Sequence, residues 1–217
     1  MTILVAARWN HGIMLTADRM TSVIDSNGYL TGETVLTDKI AFVRRDALIS
    51  IAGLTPVGLA VIETLQLKFL EYPGKVSFND ILEFTQRTIK SEFESFKKDN
   101  PDVFNPDFSA FLGGYDSYKN KYSLYLLSYI NNFFPQKIQF YSAEGIERDR
   151  VCSYLKNKIG NADEATKLLS DSIRRINSPH VSKETLTLTS FYDPAEGKFN
   201  CKRVEIDQYG SSKEKQL

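Results

Sequence analysis

Two short apolar runs open the sequence, ILVAAR over residues 3–8 and IMLTA over residues 13–17, with WNHG between them. β-Branched and aliphatic residues in runs of this length, broken by a turn segment holding Gly12, predict a β-hairpin. The N-terminus is therefore a strand, and Thr2 stands directly in front of it.

At 217 residues the chain suits a single domain over 1–217, and 42% apolar with 25% charged residues is ordinary globular usage. Lys plus Arg equals Asp plus Glu at 27 each, so overall charge favours neither nucleic acid nor an anionic membrane. Apolar runs such as LYLLSYI fall far short of the roughly 20 residues that span a bilayer. The charged, apolar and small-residue regions of a secretory leader are missing ahead of the hairpin, and a cytoplasmic protein is expected. With only His11 and His180, a histidine metal site or a Ser-His-Asp triad has little material, and no metal or cofactor is expected. Cys152 and Cys201 read as buried free thiols.

Further along, VIDSNGYLTGETVLT is a polar excursion with turn signals at Asn27-Gly28 and Thr31-Gly32. KIAFVR and ALISIAG read as strands joined at Arg45-Asp46, and Thr55-Pro56 starts a helix. Ser77 with Asp80 opens a second helix whose Phe78, Leu82, Thr85, Ile89, Phe93 and Phe96 share a face. FSAFLGGYD, YSLYLLSYI and KIQFYSAEG read as three strands. Helical spacing returns at Val151, Leu155 and Ile159 and again from Ala165 to Ile176. TLTLTSFY and FNCKRVEI are late strands, and the tail over 210–217 is expected to fray. This order is not the regular alternation of a doubly wound parallel sheet, and two antiparallel sheets with helices outside fit it better.

Three segments, TILVAARWNHGIMLTADRMTS, DKIAFVRRDALISIAG and TPVGLAVIETL, resemble the catalytic subunits of the proteasome and of the HslV protease, both N-terminal nucleophile hydrolases. The resemblance is clearest over residues 2 to 70 and rests on Thr2, Gly12, Ala17-Asp18, Lys39 and Ala52-Gly53. It implies an α+β fold, a four-layer αββα sandwich with two antiparallel sheets between helix layers. It also implies a threonine peptidase assembled into a homo-oligomeric ring that takes peptide or unfolded-protein substrate, with an ATPase unfoldase as a possible partner.

The chemistry gives these residues a reason to be grouped. A threonine hydroxyl needs a base, and an α-amino group on the same residue supplies one, with an ordinary pKa of about 7.7–8.0. That base exists only if Met1 is removed, which methionine aminopeptidases do ahead of a small residue such as Thr2. Lys39 would favour the alkoxide and keep the amine neutral, Asp18 would hold Lys39, and the Gly53 N–H would face the oxyanion. The resemblance assigns supporting roles to Ser142, as a displaced counterpart of a Gly-Ser-Gly serine, and to Ser182 in PHVSK, where the family's aspartate is missing. By spacing from Lys39 and Gly53, Thr21, Ala41, Ile51 and Thr55 line the first substrate pocket, which predicts an apolar preference. The competing reading is a catalytically inactive ring or scaffold subunit.

Overall fold

The computed structural model describes residues 2–24, 30–70, 76–102, 107–156, 158–160 and 162–217. The first half runs β1 (Ile3–Trp9), β2 (Gly12–Asp18), β3 (Met20–Ile24), β4 (Leu30–Leu36), β5 (Ile40–Arg44) and β6 (Ala47–Gly53), then α1 (Thr55–Leu70) and α2 (Phe78–Asp99). Next come β7 (Phe108–Asp116), β8 (Lys121–Ser128), β9 (Gln136–Ile138) and β10 (Tyr141–Gly145), then α3 (Arg148–Leu155) and α4 (Ala162–Arg174). The chain finishes with β11 (Thr185–Asp193), β12 (Lys198–Ile206) and β13 (Ser212–Gln216).

The opening hairpin forms as its sequence dictates, with Leu4 opposite Ala17 and Trp9 opposite Gly12. It sits inside a six-stranded sheet of order β10-β1-β2-β11-β12-β13. A five-stranded sheet runs β5-β6-β7-β8-β9, and β3 pairs with β4 in a separate hairpin. Every pairing is antiparallel.

Buried apolar side chains form three clusters. One joins the large sheets through Leu4, Leu15, Leu48, Phe111, Leu124, Leu186 and Leu188. A second packs α1 and α2 on the five-stranded sheet, with Val57, Val61, Leu65 and Phe69 following the helical repeat of α1. A third sets α3 and α4 on the β1–β2 region through Val5, Met14, Val151, Leu169 and Ile173. β11 is thus buried on both sides. Its leucines enter the layer between the sheets, while the Thr187 hydroxyl on the other face meets Thr16 Oγ1 at 2.9 Å and Ser170 Oγ at 3.4 Å. Burying those hydroxyls in contact with one another offsets the cost of removing them from water.

The α+β expectation of a four-layer αββα sandwich requires correction. Strands hold 43% of the residues, as thirteen strands in three antiparallel sheets with only four α-helices, so the described molecule is mostly β. Three segments account for the extra strand. The polar excursion after Asp18 contributes β3 and β4, although Asn27-Gly28 lies outside the described residues. KIQFYSAEG is two strands rather than one: β9 pairs with β8 in one sheet and β10 with β1 in the other. The tail expected to fray forms β13, whose Ser212 to Gln216 pair with Ile206 to Lys202 of β12. Among the described residues no helix is long and apolar enough to cross a membrane.

Candidate active site around Thr2, Asp18 and Lys39

Register delivers the first three candidates to one place. Ala17 lies opposite Leu4, so Asp18 at the end of β2 falls beside the start of β1, and its Oδ1 accepts the Ile3 N–H at 3.0 Å. That N–H belongs to the peptide joining Thr2 to Ile3. Lys39 arrives from the other sheet, one residue ahead of β5, and its Nζ is 3.2 Å from both Asp18 oxygens. Asp18 Oδ2 also accepts the Met20 N–H at 3.2 Å and the Ser182 N–H at 3.5 Å. Lys39 Nζ donates in addition to the Met20 carbonyl. Four chain segments therefore converge on one carboxylate.

The pair is shut away from solvent, with its side chains 1% and 0% exposed for Lys39 and Asp18. Burial pushes the Asp18 carboxyl up and the Lys39 ammonium down, and their mutual attraction pulls each part of the way back. A buried ion pair is weak support for stability, because desolvation consumes most of the attraction. Titratable groups displaced by burial beside a specific charged partner are more often found where chemistry is done.

Thr2 is itself buried, and its carbonyl accepts the Ile146 N–H at 3.2 Å. Gly145 lies against that carbonyl with φ +105, and a Cβ there would sit 1.9 Å from the Thr2 oxygen. No hydrogen bond to the Thr2 side chain is present among the described residues. Met1, whose removal the amine-base reading requires, lies outside the described residues.

Gly53 closes β6 with φ +93, and a Cβ there would lie 1.9 Å from the Asp107 carbonyl oxygen. Its N–H direction follows from the ladder. Leu54 N–H donates to Asp107 O at 3.1 Å across the Gly53–Phe108 pair, so that pair is non-hydrogen-bonded and the Gly53 N–H points away from β7. Two residues earlier the Ile51 N–H points the same way and donates to the Lys39 carbonyl at 2.9 Å. β5 starts at Ile40 and offers Gly53 no partner, and none is found among the described residues. The Gly53 N–H is therefore a donor without a partner among the described residues, on the Lys39 side of the strand.

The supporting residues fare unevenly. Ser182 reaches the site through its backbone N–H, while its hydroxyl accepts the Glu184 N–H at 2.8 Å in a local turn. Ser142 does not reach it. It pairs with Ala6, three pairs up the ladder from Ile3–Gly145, roughly 10 Å away at the usual strand rise. The position beside Thr2 belongs instead to Gly145, which sequence reasoning missed although the glycine stands in the same YSAEG segment.

The expected substrate pocket is not gathered. Ala41 joins Asp38, Ile40 and Phe42 in the wall of a cavity of about 630 Å³, but Thr21, Ile51 and Thr55 do not line it. Ile51 packs under α1, where a Cβ on Gly58 would meet its Cδ1 at 2.1 Å. Thr55 is the first residue of α1, and Thr21 lies on β3 with a buried hydroxyl lacking a partner among the described residues.

Elsewhere, burial pushes both thiols up, and the Cys201 thiol donates to the Arg45 carbonyl at 3.1 Å, so neither cysteine is primed as a nucleophile. Among the described residues no group of three or more His, Cys, Asp or Glu is placed to hold a metal ion. Compared with known proteins, the sequence matches no family model and no curated protein.

Proposed function

We propose that the chain is a threonine-type hydrolase of peptide bonds in which Thr2, freed by removal of Met1, supplies both nucleophile and base. The observation that carries this reading is the buried Asp18–Lys39 pair anchored on the N–H of the Thr2–Ile3 peptide. The reading rests on this site and on the sequence resemblance, and it makes no claim about fold class.

In the proposed reaction the Thr2 hydroxyl attacks the substrate carbonyl and its proton passes to the Thr2 α-amine. The oxyanion that forms faces the Gly53 N–H, a kind of contact worth roughly 2.7–4 kcal/mol in other hydrolases. The amine returns the proton to the leaving nitrogen, the C–N bond breaks, and an ester to Thr2 remains. Water, deprotonated by the same amine, then cleaves the ester and regenerates the hydroxyl. Lys39 keeps the amine neutral and stabilises negative charge on Oγ1, while Asp18 holds Lys39. A cytoplasmic homo-oligomeric ring acting on peptide or unfolded-protein substrate, with an ATPase unfoldase as partner, extends the same resemblance.

A second reading, a catalytically inactive ring or scaffold subunit, is favoured by the distance of Ser142 from Thr2. Intact mass and a peptide epoxyketone separate the two, because the reagent closes its ring only on a hydroxyl and a free amine of one residue. The hydrolase reading expects loss of one methionine, a single epoxyketone adduct on Thr2, and no hydrolysis by a Thr2→Ala variant that still assembles. A retained Met1, or a Thr2→Ala variant as active as its parent, removes that reading.

A further inference from the structure

We propose that Arg203 and Glu205 of β12 are positioning residues for Lys39, acting through Arg19 and Asp38 as a closed ring of four ions. The catalytic consequence rests on the hydrolase reading above, whereas the positioning itself does not.

The ring is built on the neighbours of the buried pair. Arg19 directly follows Asp18, and Asp38 directly precedes Lys39. Arg19 Nη2 is 3.0 Å from Asp38 Oδ1, and Arg19 Nη1 is 3.0 Å from Glu205 Oε2. Arg203 closes the circuit, with Nη2 2.8 Å from Asp38 Oδ2 and Nε 2.8 Å from Glu205 Oε1. Three of the four contacts have hydrogen-bond geometry, the Arg19 Nη2–Asp38 Oδ1 approach is an ion pair alone, and each side chain has two partners. All four side chains are between 21% and 36% exposed, sheltered enough for a network to hold where an isolated surface pair would not.

Location gives the ring its meaning. Arg203 and Glu205 are two residues apart on β12 and share a face, the one that also borders the cavity walled by Ile40 and Leu188. β12 belongs to the six-stranded sheet, whereas Lys39 leads into the five-stranded one. The Thr37 N–H donates to the Arg19 carbonyl at 2.7 Å, and the Arg19 N–H to the Glu184 carbonyl at 3.2 Å. The ring therefore crosses from one sheet to the other where the Lys39 backbone departs. A lysine ammonium is a point charge on a flexible stem, so the backbone that carries it decides where the charge can sit. Two cations and two anions leave the ring without net charge, so it fixes position while adding no net charge beside the buried pair. Arginine is required because only a planar fork spans both carboxylates at once.

The test uses the full chain with Met1 removed and compares the parent with Arg203→Lys and Glu205→Gln. Lys202→Met, which breaks the separate Lys202–Glu214 pair on the same strand, is the control. Two readouts are taken at neutral pH: hydrolysis of a fluorogenic peptide, and the Lys39 side-chain resonances in lysine-labelled protein, with thermal melting alongside. Positioning predicts that both ring variants lower kcat by about tenfold to a hundredfold, as small misplacements do, with KM held within about twofold. It also predicts that both displace the Lys39 resonances while Lys202→Met leaves them in place. Lys39 resonances that stay at the parental position in both ring variants overturn the proposal, as does a displacement that Lys202→Met reproduces. A parent that hydrolyses nothing removes the hydrolase reading, and the Lys39 resonances then decide the positioning alone.

Discussion

Asp18→Asn changes one atom and tests the claim that this carboxylate organises the start of the fold. Oδ1 accepts from Ile3 N–H and Lys39, and Oδ2 from Met20 N–H, Ser182 N–H and Lys39. An asparagine has one acceptor oxygen and one donor nitrogen. With its oxygen in the Oδ1 place, the amide N–H₂ faces the Met20 and Ser182 donors, and turned over it faces the Ile3 donor. Either way a donor meets a donor. A buried group left unsatisfied costs about 1–3 kcal/mol, and a buried charge stripped of its partner about 3–5 kcal/mol. These costs overlap because Lys39 can shed its proton, its pKa already being pushed down by burial. The expected loss is about 3–5 kcal/mol, read as a fall in the urea midpoint at unchanged slope. Asp18→Asn combined with Lys39→Met should lose less than the sum of the two singles, with a coupling of about 1–3 kcal/mol. A single variant within about 1 kcal/mol of the parent, or a strictly additive double, would refute the reasoning.

Two further predictions follow from the same site. Gly145→Ala puts a Cβ 1.9 Å from the Thr2 carbonyl oxygen at φ +105, so it should cost more than about 2 kcal/mol and abolish epoxyketone labelling. Gly197→Ala, at φ +64 in open space, should cost no more than about 1–2 kcal/mol and leave labelling intact, and equal losses would show that the contact with Thr2 is immaterial. The Lys39 pKa is lowered in the fold, so between that value and the ordinary 10.5 the unfolded chain holds a proton that the folded chain has released. The stability of the parent relative to Lys39→Met should therefore rise with pH through that window, and urea titrations showing it fall would contradict the burial argument.

What the sequence disclosed was local chemistry. Residues 3–8 and 13–17 pair across a turn, Ser77 and Asp80 do form a reciprocal cap, and Asp18 and Lys39 do meet. What stayed hidden was pairing between distant segments. Nothing in KIQFYSAEG shows that Gln139 and Phe140 carry the chain from one sheet to the other, because either half reads as strand and the partner is not written locally. That crossing decides the fate of Ser142, which lies opposite Ala6 rather than beside Thr2. The packing of Ile51 was hidden for a related reason: a period of two says that alternate residues share a face, not which face meets α1. β13 escaped notice because all five of its residues are exposed, and an edge strand carrying Lys213 and Lys215 has the composition of a loop.

The hydrolase and scaffold readings make different demands on the two members of the buried pair, and the hydrogen bonds separate those demands. Asp18 would be needed by either, since without it the N–H groups of Ile3, Met20 and Ser182 lose their acceptor inside the protein. Lys39 is different. Among the described residues its ammonium bonds only to Asp18 and to the Met20 carbonyl, and its burial opposes its own charge. With Lys39 replaced by methionine, Asp18 would keep three N–H donors but lose the charge that most offsets its burial, and its carboxyl would be pushed further up. Removing the ammonium alone strips the buried carboxylate of its ion partner, a cost of about 3–5 kcal/mol that either reading would carry. Under the proposed hydrolase reading the buried ammonium would answer negative charge developing on the Thr2 hydroxyl, whereas under the scaffold reading it would only neutralise Asp18. Lys39, rather than Asp18, is thus the residue on which the two readings part.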